Sequence, residues 1–301
     1  MTRLERAITP LCENHPGECG ILTLDDSLDA FAARYRLTEM AERTLDVQYY
    51  IWESDMSGLL LFSVLLAAAK RGVRVRLLLD DNNTPGLDDT LRLLDNHPNI
   101  EIRLFNPFSF RILRALGYLT DFARLNRRMH NKSYTADGVV TLVGGRNIGD
   151  AYFGTGEQPL FSDLDVMAIG PVVQDVADDF ERYWHCRSVS TLQNVLEVAE
   201  PASTQKIELP ESWYNDDITR RYLHKLETSQ FMASLDRGAL PLIWAKTRLL
   251  SDDPLKGEGK APRHSLLPQR LFDIMGSPTE RIDIISAYFV PTRAGVAQLL
   301  R

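Results

Sequence analysis

His130, Lys132 and Asn147 are residues of the types that can hold one phosphate group, and they fall in a long fixed pattern. The run is Met129-His130-Asn131-Lys132-Ser133-Tyr134-Thr135-Ala136-Asp137, and six residues later Gly144-Gly145-Arg146-Asn147. A phosphodiester is a monoanion with poor leaving groups. Cleaving it without a metal takes a nucleophile, a cation on the non-bridging oxygens and a proton for the leaving group. Neutral imidazole can attack phosphorus directly and carry the group as a covalent phospho-histidine. Lys132 would supply a compact charge and Asn147 an amide donor, both aimed at charge that builds in the transition state. Asp137 is counted with His130 and Lys132 in the candidate catalytic motif. Taken alone, an aspartate before Gly138 reads as the anchor of a hairpin turn.

The second imidazole nitrogen needs an acceptor to fix its tautomer, usually a carboxylate. Phe161 to Pro171 offers two, Asp163 and Asp165, which alternate with apolar residues and would share one face of a strand. Asp163 is the preferred partner of His130. Two adjacent carboxylates also suit a metal ion, but no third ligand of zinc-type spacing is near. Neither metal nor cofactor is expected.

These side chains need a frame. His130 and Lys132, two apart, would share a strand face. Asp137-Gly138 is a hairpin signal, and Val139 to Val143 is the returning, β-branched strand. Gly144-Gly145 permits a sharp turn with close backbone approach. Upstream, a helix over Leu28–Arg43 precedes a strand over Leu45–Trp52. A helix over Gly58–Arg71, a strand over Val73–Leu79, a short helix over Thr90–Asn96 and a strand over Ile100–Phe105 follow. Val172–Trp184 reads as a closing helix. The alternation predicts an α/β fold with a layered sheet. Glu197 to Asp217 is acidic and aperiodic, a linker or insertion, and Ser251 to Arg263 reads as a mobile polar loop.

At 301 residues the chain exceeds one typical domain. A net charge of −7 argues against a general nucleic-acid binder, so no nucleic acid is expected as a partner. Its 3 cysteines are few and odd in number, which favours reduced thiols. No stretch reaches the roughly 18 apolar residues that span a bilayer; Leu59 to Ala69 reads as a core helix. From Arg111 to Lys132, 6 cations stand against 1 anion, after a run rich in Phe and Leu from Phe105 to Leu119. Cations interleaved with aromatics suit an anionic membrane surface; a core helix with a solvated arginine face is the alternative.

With these motifs in view, the chain resembles the phospholipase D superfamily, whose hallmark is His-x-Lys-x4-Asp-x6-Gly-Ser/Gly-x-Asn. Within it the chain is most similar to bacterial cardiolipin synthases of the C type, through Leu45–Met56, Leu77–Gly86, Leu104–Phe110, Arg127–Phe153 and Phe161–Val173. The resemblance spans essentially the whole chain. It implies a phospholipase D-like layered sandwich, a mixed sheet flanked by helices, in a two-lobed enzyme with one motif per lobe. One histidine is then the nucleophile and the other protonates the leaving alcohol. Here only one motif is present. Leu45–Trp52 is echoed by Ile282–Phe289, an internal repeat offset by 237 residues. The same offset would carry a second histidine to about position 367, past Arg301. The expected organisation is therefore a first domain over 1–195, a linker or insertion over 196–240, and the truncated start of a second similar lobe over 241–301.

The expected activity is phosphatidyl transfer in cardiolipin synthesis. The resemblance implies phosphatidylglycerol as acceptor and, for the C type, phosphatidylethanolamine as donor. It also implies peripheral attachment to the cytoplasmic face of a bacterial inner membrane. Hydrolysis by the same chemistry, as in phospholipases or nucleases of the superfamily, is the second reading. A half-site that binds lipid without turnover, until a second lobe or a complementing chain completes it, is the third.

Overall fold

A computed structural model describes residues 1–108, 111, 121–154, 163–196, 239–276, 279–285 and 295–297, with scattered positions between 220 and 237. The elements are α1 (Arg3–Glu13), β1 (Cys19–Leu24), α2 (Ser27–Met40), β2 (Thr44–Tyr49), α3 (Met56–Lys70), β3 (Arg74–Asp80), α4 (Asp88–Asp95) and β4 (Ile100–Phe105). The motif hairpin follows as β5 (Ser133–Ala136) and β6 (Val140–Gly144), then α5 (Asp150–Phe153), β7 (Asp165–Ile169), α6 (Val172–Trp184), β8 (Val189–Thr191), α7 (Leu192–Val195), β9 (Ile243–Ala245) and α8 (Leu267–Met275).

Nine strands form one mixed sheet in the order β8-β4-β3-β2-β5-β6-β7-β1-β9. β2, β3 and β4 run parallel, joined by helical crossovers, and the remaining pairs are antiparallel. This is the mixed, helix-flanked sheet that the sequence predicts. β3 shows why it is covered on both faces: Val75, Leu77 and Leu79 join the main core, while Leu78 points the other way into a cluster with Phe180 and Trp184 of α6. A parallel strand buried on both faces reads as a continuous apolar run, and Leu77 to Leu79 is one.

α3 carries the Leu59–Ala69 run and is almost wholly buried, which is why it is apolar all round. Asp55 caps it by accepting from the Gly58 amide at 3.1 Å, and α2 starts the same way on Asp26. α1 and β1 are not anticipated by the sequence reading, although Thr2 and Glu5 form a capping box before α1.

Residues 243–245, read from sequence as opening a second lobe, add an edge strand to this sheet by pairing with β1. The polar run Ser251–Arg263 is a correction to the sequence reading. It packs as two short 3-10 turns, Pro254–Lys256 and Arg263–Ser265, with Pro254 buried and Gly257 against Phe105 and Ser188. Of the internal repeat's second copy, residues 286–289 lie outside the described residues. Residues 282–285 form no regular element, and Ile282, Ile284 and Ile285 are exposed. The acidic segment over 197–217 also lies outside the described residues.

Candidate active site

β5 occupies the middle of the sheet, antiparallel to β2 on one side and to β6 on the other. The turn between β5 and β6 has Asp137 at φ 52° and Gly138 at φ 70°, the left-handed pair that an Asp-Gly hairpin requires. The Asp137 carboxylate is buried and accepts from the backbone amides of Arg43 at 2.8 Å, Thr44 at 3.1 Å and Glu42 at 3.1 Å. It ties the hairpin to the start of β2, at the end of β5 away from His130.

His130 and Lys132 precede the strand, since β5 begins at Ser133. They nonetheless line one cleft of about 390 Å³, together with Asn131, Gly144 and Asp179. The run into His130 is anchored by Asp80, at the end of β3. Asp80 is buried, accepts from the Met129 amide at 2.9 Å and pairs with Arg128 at 3.3 Å. Burial raises the Asp80 pKa to about 6, against the pull of Arg128 and the Met129 amide.

Tyr50 roofs the pair. Its ring lies 4.2 Å from the His130 ring, tilted by 41°, and the Lys132 ammonium sits 5.5 Å from its centre. Neighbouring protein crowds His130 and holds its pKa below the ordinary value, and Lys132 and Lys256 reinforce the shift. A hydrogen bond with the Arg128 backbone and the charge of Asp252 oppose it. Burial brings Lys132 down to about 8, although Asp163 and Asp165 favour its charged form. The Lys132 ammonium donates to the His130 carbonyl at 2.7 Å.

The carboxylates do not take the place expected of them. Among the described residues neither is hydrogen-bonded to His130, whose partner is the Arg128 backbone. Asp165 is wholly buried and accepts from Arg34 of α2 at 2.7 Å and from the Arg146 amide at 3.2 Å. Asp163 lies against Gly145, near Lys132. These contacts explain the paired glycines. A Cβ at Gly144 would run into the Asp165 carboxylate and the Leu164 carbonyl, and one at Gly145 into the Asp163 carboxylate. Close approach, and not a left-handed turn, is what the two positions require.

Asn147 is buried and is not among the residues that line the cleft. Its Oδ1 accepts from the Ile51 amide at 3.0 Å, beside the bridge between Trp52 and Ile148. Only its amide nitrogen is left to address a phosphate. Among the described residues, no group of histidines, cysteines and carboxylates could hold a metal ion.

The proposed membrane-facing segment resolves in part. Residues 109–110 and 112–120 lie outside the described residues. Phe105 and Phe108 are buried, and Arg111, Arg124 and Arg128 pair with Asp81 and Asp88, with Asp121, and with Asp80. Arg111 and Arg128 brace the fold internally, whereas the Arg124–Asp121 pair is partly exposed. Sequence reasoning read Tyr50, with Tyr49 and Trp52, as a strand-core residue in preference to a cleft-lining one, and it missed Asp179, Ser251, Asp252 and Lys256. Only Tyr50 left a signal, as the residue after Tyr49 on a strand whose alternation must turn one aromatic outward.

A family model described as cardiolipin synthase, phospholipase D-like domain, matches residues 36–184. The chain is 79% identical over 301 residues to cardiolipin synthase C of Escherichia coli (strain K12), covering all of this chain and 64% of that protein. It is 31% identical over 284 residues to an uncharacterized protein of Helicobacter pylori (strain ATCC 700392 / 26695), covering 93% of this chain and 56% of that one. It therefore spans less than two thirds of the length of either relative. Among solved structures, phosphatidylserine synthase of Haemophilus influenzae Rd KW20 aligns with a TM-score of 0.46 and 15% identity, covering 74% of this chain and 48% of that one.

Proposed function

Because the chain belongs to the phospholipase D superfamily, in its cardiolipin synthase branch, we propose that it transfers a phosphatidyl group between phospholipids through a phospho-histidine. The observation that carries this reading is the cleft that joins His130 and Lys132 beneath Tyr50. His130 is kept in the neutral, nucleophilic form by its crowded, cation-rich surroundings. Its imidazole nitrogen attacks the donor phosphorus, a P–N bond forms, and the P–O bond to the headgroup alcohol breaks. Lys132 takes the charge on the non-bridging oxygens. The hydroxyl of a second phospholipid then attacks the same phosphorus, its proton passes to the base left by protonation of the leaving alcohol, and the P–N bond breaks to release the imidazole.

The resemblance assigns the proton for the leaving alcohol to the histidine of a second motif. Phosphatidylglycerol is the proposed acceptor and phosphatidylethanolamine the donor. Asp163 and Asp165 set the Gly144–Asn147 turn and favour the charge of Lys132; Asp137 sets the hairpin. Residues 241–301 begin a second lobe on this reading. The protein works at a membrane surface because its substrates are lipids; no described helix is long and apolar enough to cross one.

The test is a His130→Ala variant. With a radiolabelled donor lipid, the parent chain should trap label on protein in an acid-labile, base-stable linkage, and the variant should trap none. Equal labelling of both would remove His130 from the chemistry. Phosphatidic acid in place of cardiolipin would make the protein a hydrolase.

A further inference from the structure

The cleft has a second wall, which the histidine–lysine motif does not account for. Ser251, Asp252 and Lys256 line it from the segment after β9. Asp252 is anchored on three sides. Its Oδ1 accepts from the Leu267 amide at 2.7 Å, its backbone carbonyl accepts from the Tyr183 hydroxyl at 3.1 Å, and its Oδ2 pairs with the Lys256 ammonium. Ser251 Oγ accepts from Asn131, beside His130, at 3.2 Å. Lys256 is therefore fixed at the cleft by a built wall, with its side chain 43% exposed.

An ammonium has three N–H donors, so the pairing with Asp252 leaves donors for an anion. The other cations of the cleft are engaged elsewhere. Lys132 serves the reacting phosphate in the reading above, and Arg128 is buried against Asp80.

In that transfer the acceptor brings a second anion. Its own phosphodiester lies one glycerol away from the attacking hydroxyl, and unscreened it would repel the phosphate under attack. We propose that Lys256, set in place by Asp252, binds the phosphodiester of the acceptor phospholipid, so that the 251–256 segment forms the acceptor subsite. This assignment rests on the phosphatidyl-transfer reading.

Calorimetric titration of the full chain with dihexanoylphosphatidylglycerol, below its micellar concentration, tests the subsite without turnover. Labelling of His130 needs only a donor lipid, so the two readings fail separately. Lys256→Gln should weaken binding by about tenfold, the worth of one charge-assisted hydrogen bond. Lys256→Arg should hold the affinity to within about threefold, because the charge is kept. Inorganic phosphate should bind far more weakly than the lipid. The assignment is overturned if the parent chain does not bind the lipid or if Lys256→Gln binds it equally well. It is also overturned if inorganic phosphate binds as tightly, which would mark a free-anion site.

Discussion

His130 and Lys132 must be in opposite protonation states for the proposed chemistry, imidazole neutral and ammonium charged. Crowding, with Lys132 and Lys256, holds the His130 pKa below its ordinary value, so more of the nucleophile is neutral at a given pH than in a free imidazole. Burial brings Lys132 to about 8, so its charge is lost just above neutrality. The rate of phospho-histidine formation should therefore rise through a pKa below that of a free imidazole and fall through one near 8. Lys132→Arg keeps a charge at every accessible pH. Its pH–rate profile should lose the alkaline limb while its maximum falls, because a guanidinium does not reproduce the ammonium's geometry. An unchanged alkaline limb in that variant would assign the second titration to another group.

At the scale of the element, the motif is a hairpin whose spacing does two jobs. His130 and Lys132 approach phosphate, while Asp137 holds the far end of the same strand to β2. Asp137→Ala would leave the amides of Glu42, Arg43 and Thr44 without their acceptor. A cost of about 3 kcal/mol is expected, given about 1–3 kcal/mol for a buried polar group left unpaired and partial access of water to these amides. Urea unfolding should show that loss, while single-turnover labelling per folded molecule stays near the parent rate. A collapse of labelling in a folded Asp137→Ala protein would restore a direct chemical role. The Gly144-Gly145 step belongs to the same scale, since its lack of side chains lets the Asp163 and Asp165 carboxylates lie against the hairpin's exit.

For the whole molecule, one buried network joins distant parts of the chain. Arg34 of α2 donates to Asp165 of β7 at 2.7 Å and to the Tyr49 hydroxyl of β2 at 2.8 Å, and all three are essentially inaccessible to solvent. Arg34→Met would strand a carboxylate in the core. Breaking such a pair from one side costs about 3–5 kcal/mol, whereas neutralising both sides costs much less. Denaturant unfolding should show Arg34→Met strongly destabilised and Arg34→Met with Asp165→Asn substantially recovered. Equal stability of the single and double variants would mean that the charge of Asp165 is compensated elsewhere, with Arg146, 3.7 Å away, as its other neighbour.

The sequence by itself determined the motif and the elements from α2 to β4 and around the motif hairpin, because these signals are local. Alternation of period two marks β2 and β4, the apolar run Leu77–Leu79 marks β3, Asp137-Gly138 dictates its own turn, and the all-apolar run of α3 can only be buried. It also placed His130 and Lys132 together, since two residues of spacing cannot separate them far. The tertiary structure decided which distant groups meet them. Tyr50 reaches His130 across a separation of 80 residues, and Lys256 lies 126 residues beyond it. Their meeting depends on the order of strands in the sheet and on the path of the chain after β9, which no local periodicity records. The partner of each carboxylate was likewise hidden. Asp163 and Asp165 have the spacing to orient a histidine, but a buried charge goes to the cation that can share its burial, and for Asp165 that cation, Arg34, is supplied by a helix 131 residues away.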